Sequence, residues 1–454
     1  MQLESVPTEA VVARRRRLSE RLEGPALICA GAPSPRNYPA AVYPFRASSH
    51  FLYLVGAPLP GAALLLDGGE ATLFTPPHDP ADELWHGPVP GPDAIAEATG
   101  CAVRDHDDLG DAIAGREVAT VPAVDLATRL AQERQIGRPL AAPTDADRRL
   151  AEALVELRLV HDEAALAELR AAAEATDAAH RAGMAATRAG VLEAEVHAAM
   201  VAQLLRRRMR PAYNPIVTVH GEILHNEVYH HALAPGDLVL ADVGAESVGG
   251  WAADVTRTWP VDGAFSSTQR TAYELVLAAQ RAAIEACRPG ARYRDVHLTA
   301  ARALTEGLVD LGVLRGDVDE LVADGVHALF FPHGVGHLLG LDVHDMEDLG
   351  DAAGYAPGRE RSAQFGLSNL RLDRDLAPGM AVTIEPGFYQ VPAILDDDAL
   401  TKVAGDRLDR QALARFADVR GIRIEDDVLI TEGAPEVLSA SIPKAPADVE
   451  AAVG

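Results

Sequence analysis

The sequence is poor in cysteine, in aromatic residues and in long apolar runs, and each shortage excludes something. Cys29, Cys101 and Cys287 are the three cysteines among 454 residues. They lie far apart and form no CxxC, so neither a disulfide framework nor a thiolate zinc site is expected, and a reducing compartment fits. Aromatics make up 5% of the chain while alanine is abundant, which favours helices over much of the surface. The longest apolar stretches, such as residues 61–66, are too short to span a bilayer. The opening MQLESVPTEAVVARRRR has no apolar core ahead of its charges, so no signal peptide is read there. A cytoplasmic location is expected.

Positive charge is also short. Lys plus Arg number 41 against 67 Asp plus Glu, and 41 − 67 = −26. Such a surface repels phosphate, so neither nucleic acid nor an anionic membrane is expected as a partner. The basic runs Arg14–Arg17 and Arg206–Arg210 are read as solvated helix faces.

What remains is a composition 48% apolar and 24% charged, that of a soluble protein with a large core, and a length suited to two or three domains. Residues 62–66, the turn Asp67-Gly68-Gly69 and residues 71–74 form a hairpin signal. Residues 75–92, which contain Trp85, read as a loop. From 145 to 186, Leu150, Leu154, Leu157, Leu166 and Leu169 recur at helical spacing, with Asp162 placed to cap a second helix. The domain boundary is drawn there, giving domains 1–160 and 161–454. Further helices are expected at 190–209, 267–287, 292–313 and 317–328, and strands at 238–243, 251–258, 381–386 and 421–430. Short polar connections between strands favour antiparallel pairing and an α+β class. Residues 345–380 read as a long irregular insertion, functional or disordered.

Four segments of the second half carry candidate ligands. In DLVLADVGAESVGGWAADVTRTW, two apolar strands each bring one carboxylate, Asp242 and Asp254. Desolvating a lone carboxylate among Leu238, Val239, Leu240 and Val243 is costly, so either a cation or pairing to an arginine or backbone amides is expected. FPHGVGHLLGLDVHD packs His333, His337 and His344 among glycines that allow close backbone approach. In AVTIEPGFY, Glu385 ends a β-branched run. In GIRIEDDVLIT, alternation puts Arg423, Glu425 and Asp427 on one face and Ile422 and Ile424 on the other. Four carboxylates with one or more histidines suit two adjacent divalent ions. Hard oxygen donors with an imidazole favour Mn²⁺ or Mg²⁺-like ions, with Zn²⁺ or Co²⁺ also possible. Two such ions about 3.5–4 Å apart share a hydroxide that is nucleophilic at neutral pH, which points to hydrolysis.

These four ordered motifs resemble the dinuclear-metal pita-bread peptidases, in the Xaa-Pro aminopeptidase (aminopeptidase P) and prolidase branch. The match covers about residues 165–445. PFRASSHFLYLVG is similar, more weakly, to the aminopeptidase P N-terminal domain. The resemblance implies an α/β-like N-terminal domain followed by a pita-bread catalytic domain, with an N-terminal residue cleaved from a following proline. It implies that Asp242 chelates one metal, that Asp254 and Glu425 bridge both, and that His337 and Glu385 hold the other. Glu385 would also handle the proton of the nucleophile, and His225, in ILHNE, would stabilise the tetrahedral intermediate. His333 and His344 would line the substrate pocket, and Arg423 would stand beside Glu425.

The resemblance leaves three departures. The separation of Asp242 and Asp254 is one residue longer than is common, which Gly249-Gly250 could absorb. His50 stands where the family often has Asp. Trp85 matches a tryptophan that reaches a neighbour's active site in tetrameric relatives, against the plainer alternative of an aromatic packed on its own domain. Arg371 falls where prolidases hold a dipeptide's carboxylate, so dipeptide cleavage stays open beside aminopeptidase activity. A metal-free pita-bread binding protein is the remote alternative. A homodimer or homotetramer is implied.

Overall fold

The computed structural model describes residues 6–78, 81 and 83–453. They divide into two compact units, Met1–Ala164 with Val248–Gly250, and Ala165–Ser247 with Trp251–Gly454. Both mix helices with sheets, giving an α+β protein.

The first unit is built on one sheet. Its strands are β1 (Ala26–Cys29), β2 (Ala63–Asp67), β3 (Glu70–Thr75), β4 (Ala102–Asp105) and β5 (Ala119–Thr120), in the spatial order β4-β3-β2-β1-β5. The inner pairs are antiparallel and the two outer pairs parallel. The hairpin turns at Gly68 and Gly69, with φ of 58° and 89°, so both glycines take the positive φ that such a turn needs. Leu27, Leu65, Phe74, Leu109 and Ile113 form the core over this sheet.

Two expectations for this unit fail. Arg14 and Arg15 are not on a solvated face: they are buried in the helix Thr8–Ser19. Arg14 donates from Nε and Nη2 to Asp162 at 2.8 and 2.7 Å. Arg15 donates to the carbonyls of Leu54 and Thr99 at 2.6 and 2.7 Å. A guanidinium fork that finds a carboxylate and spare carbonyls can be buried. Second, Trp85 lies in a short helix, Glu83–His86, and is 77% exposed, so it does not pack on its own domain. His50 is buried, its Nδ1 2.9 Å from Arg158 Nη1.

The second unit holds the long helices Glu163–Ala186, Glu193–Arg206, Ser267–Ala286 and Tyr293–Asp310. Its first strands are β6 (Arg210–Pro211), β7 (Ile216–Thr218), β8 (Leu238–Asp242), β9 (Ala245–Glu246) and β10 (Thr256–Pro260). They are followed by β11 (Ala381–Ile384), β12 (Gly387–Tyr389), β13 (Gly421–Arg423), β14 (Asp426–Leu429) and β15 (Glu436–Val437). All pairings here are antiparallel: β10-β8-β7, β11-β14-β15, β12-β13 and β6-β9.

Three local differences matter for the site. The expected strand 421–430 is two strands, β13 and β14, paired with different partners and broken at Ile424 and Glu425. The expected strand 251–258 begins only at Thr256, so Asp254 precedes it. Residues 345–380 are ordered by short helical turns and ion pairs: Arg292 with Asp373 (2.6 Å), Arg359 with Asp375 (2.7 Å) and Arg361 with Asp351 (2.6 Å). No described helix is long and apolar enough to cross a membrane.

Candidate metal centre

The ligand set is assembled by two strand pairings. In the first, β8 lies against β10 with Asp242 opposite Thr256, which brings the end of β8 beside the segment holding Asp254. In the second, residues 335–339 run along β11. Glu385 N–H donates to Val335 O (2.8 Å), Thr383 N–H to His337 O (3.0 Å) and Leu339 N–H to Ala381 O (3.0 Å), so His337 and Glu385 share an edge. Gly336 is required for this approach, since a Cβ there would stand 2.2 Å from Thr383 O. Glu425 sits at the break between β13 and β14, where its N–H donates to Thr256 O at 3.0 Å. That break releases Glu425 from period-2 alternation and turns its side chain to the centre.

The side chains converge as three overlapping groups: Asp242, Asp254 and Glu425; His337, Glu385 and Glu425; and Asp254, His337 and His344. Within each, the candidate ligand atoms lie within 4.8 Å of one another. Glu425 belongs to the groups on both sides, and Asp254 joins Asp242 on one side and His337 on the other. His337 Nε2 is 3.3 Å from Asp254 Oδ2 and 3.5 Å from Glu385 Oε1. Its Nδ1 is 3.0 Å from Leu338 O; a carbonyl can only accept, so Nδ1 carries a proton and Nε2 is the ring atom turned to the centre.

A second layer of side chains fixes this one. Asp242 accepts from Tyr213 Oη at 2.5 Å and from Arg423 Nη2 at 2.6 Å. Thr256 Oγ1 donates to Glu425 Oε2 (2.6 Å) and accepts from Arg423 Nε (2.9 Å). Asp254 N–H lies 3.1 Å from Asp427 Oδ1. His333 Nδ1 donates to Gly334 O (2.8 Å), its Nε2 is 2.9 Å from Tyr389 Oη, and that hydroxyl also receives Arg423 Nη1 at 3.1 Å.

The charges of the candidate ligands and their neighbours test whether cations fit. Burial, reinforced by neighbouring carboxylates, raises the Glu385 carboxyl to about 7 and lifts Glu425 well above the usual range. Asp242 is also raised, by burial and despite Arg423. Asp254 goes the other way: burial opposes its charge, but the His337 imidazole outweighs burial and lowers it. Burial also opposes charge on His337, which Asp254 and Glu385 nevertheless raise. Burial and then Arg423 lower His333 to about 3, leaving it neutral. Four carboxylates crowded around one imidazole and one guanidinium carry more negative charge than the protein balances. Divalent cations on hard oxygen donors would favour the ionised form of Asp242, Glu385 and Glu425, the three that are raised, and would balance the charge that Asp254 already carries. The residues present therefore fit two such ions.

A cavity of about 600 Å³ opens over the centre. His225, His333, His344, Arg371 and Arg423 line it with the five candidate ligands. His344 stacks edge-on against His337 with ring centres 4.1 Å apart. Arg371 Nη1 is engaged by Glu347 at 2.7 Å. Sequence reasoning left Tyr213, Thr256, Tyr389 and Glu347 unassigned. Thr256 and Tyr389 lie inside the quoted motifs and Glu347 is three positions after His344; nothing local marks Tyr213.

Residues 167–432 match metallopeptidase family M24 and residues 11–119 the aminopeptidase P N-terminal domain. The chain is 34% identical to an Escherichia coli Xaa-Pro aminopeptidase over 96% of both proteins. It is 32% identical to a human Xaa-Pro dipeptidase, over 98% of this chain and 93% of that protein. Among solved structures, a glutamate-to-alanine variant of Escherichia coli aminopeptidase P in complex with substrate superposes with a TM-score of 0.82 at 31% identity, and a Pseudomonas aeruginosa aminopeptidase with 0.81 at 31%. Each covers 99% of this chain and is itself covered to 98%. The chain belongs to metallopeptidase family M24 and carries the N-terminal domain of aminopeptidase P.

Proposed function

We propose that this protein is an Xaa-Pro aminopeptidase, releasing the N-terminal residue of peptides whose second residue is proline. The reading rests on one observation above all: Asp242, Asp254, His337, Glu385 and Glu425 converge beneath a cavity large enough for a peptide. Asp242 would hold one ion, His337 and Glu385 the other, with Asp254 and Glu425 between them. Mn²⁺ is the metal best suited to this donor set, with Zn²⁺ or Co²⁺ as substitutes. When bound, the ions supply an acidified water and polarise the scissile carbonyl.

The remaining work falls to side chains. The scissile amide is tertiary, so its nitrogen has no N–H for recognition and leaves only once protonated. Glu385 takes the proton of the attacking water and returns it to the proline nitrogen. His225 donates to the oxyanion as it forms. His333 and His344 wall the pocket that receives the pyrrolidine ring, and Arg423 holds Asp242 and Thr256 in place.

Dipeptide hydrolysis is the second reading, because Arg371 lines the same cavity. Its pairing with Glu347 favours the first, since that carboxylate already takes one of the donors a free C-terminus would need. Hydrolysis of Ala-Pro-Ala and of Ala-Pro after Mn²⁺ loading separates the two. Cleavage of the tripeptide supports the aminopeptidase; turnover of the dipeptide alone makes the protein a dipeptidase; turnover of neither refutes both. We also propose a cytoplasmic homodimer or homotetramer without nucleic-acid or membrane partners, consistent with a net charge of −26.

A further inference from the structure

The loop that carries His225 is tied at its base by a single buried carboxylate. Residues 219–231 leave β7 and return toward β8 with His225 at the midpoint. Among the described residues, no hydrogen bond holds the His225 ring, so its place over the cavity depends on the loop. Glu193, the first residue of the helix Glu193–Arg206, is 0% exposed and reaches both stalks. Its Oε1 accepts from Val219 N–H (2.9 Å) and Thr218 Oγ1 (3.0 Å) on the outgoing stalk. Its Oε2 accepts from His231 N–H (3.1 Å) and His231 Nδ1 (3.0 Å) on the returning one. Glu193 N–H in turn donates to His231 O at 3.0 Å. A carboxylate is favoured at a helix N-terminus, and buried with four donors it is fully satisfied.

Two other contacts tighten the same base. Asn226, buried next to His225, donates from Nδ2 to Thr218 Oγ1 at 2.9 Å, so the hydroxyl held by Glu193 also holds the residue beside the catalytic imidazole. Gly221 lies directly on Gly421, the first residue of β13, where a Cβ would stand 2.7 Å from Gly421 O. The loop is therefore seated on the strand that carries Arg423.

We infer that Glu193 is a positioning residue: it clamps both stalks of the 219–231 loop and so sets where His225 meets the reacting carbonyl. The inference rests on the aminopeptidase reading for its kinetic consequence, but not for its structural one. Glu193→Gln preserves size and can accept at Oε1, but an NH₂ group at the other position cannot accept from His231 N–H, so it opens one side of the clamp only.

Hydrogen exchange across 219–231 in the Mn²⁺-loaded protein needs no turnover. Protection there should fall about tenfold in Glu193→Gln while protection of the long helices and metal content stay at parent values. With Ala-Pro-Ala, kcat should fall about 20-fold or more with KM within about threefold, and adding Glu193→Gln to His225→Ala should cost less than about threefold further. Unchanged exchange, parent-like kcat, or full multiplication of the two effects would overturn the assignment. If the parent cleaves neither peptide, the proposed function fails, and the exchange result alone decides the clamp.

Discussion

Arg423, itself buried, pairs with the partly buried Asp242, Nη2 to Oδ2 at 2.6 Å, at the edge of a centre otherwise crowded with carboxylates. The guanidinium is shared: Nε reaches Thr256, which holds Glu425, and Nη1 reaches Tyr389, which holds His333. One side chain thus ties a candidate ligand from each of two strand pairs to the pocket wall. Removing one partner of a fully buried pair costs roughly 3–5 kcal/mol, and less where one partner meets the cavity as Asp242 does. Arg423→Ala should lower the urea midpoint accordingly and weaken Mn²⁺ binding as well. A variant with parent stability and parent affinity would show the pair to be incidental.

Arg371 offers a cleaner test of substrate length. If it meets a free carboxylate, Arg371→Ala raises KM for Ala-Pro about tenfold and leaves Ala-Pro-Ala within about twofold. Because Glu347 already engages Nη1, Glu347→Ala should shift preference toward the dipeptide. Equal changes for both peptides in both variants would remove Arg371 from length selection.

Acid stability has a defined contributor next to the centre. Burial by itself would raise the Asp426 carboxyl, but Arg257 and the Lys444 ammonium, aided by Ser439, outweigh it and hold it at about 2. The unfolded value is about 3.9. The folded value is the lower one, so the contribution is complete above about pH 4 and is lost as pH falls toward 2. Asp426→Asn should flatten the parent's fall in urea midpoint across that window. It should also destabilise the protein at neutral pH, because Arg257, 0% exposed, loses its carboxylate. Parallel curves for variant and parent would contradict this.

Much of this was legible in the sequence because the motifs are local. The Asp67-Gly68-Gly69 turn announced its hairpin by composition. Asp242 inside an apolar run, and three histidines among glycines, announced a site by the cost of burying them. What was not legible depends on distant partners. Arg14 and Arg15 look solvated until Asp162 and the carbonyls of Leu54 and Thr99 arrive from elsewhere in the chain. The break at Glu425 is invisible to a period-2 pattern, because it arises when β13 follows β12 and β14 follows β11. The 345–380 segment lacks periodicity, yet it is ordered by arginine–carboxylate pairs that span up to 81 positions in sequence.

Metal stoichiometry tests the central claim most directly. After Mn²⁺ loading and desalting, plasma emission should find about two ions per parent chain and at most about one per chain of Glu425→Ala, since that carboxylate belongs to both halves of the centre. A parent chain that retains no divalent ion, or a Glu425→Ala chain that retains two as tightly as the parent, would contradict the account.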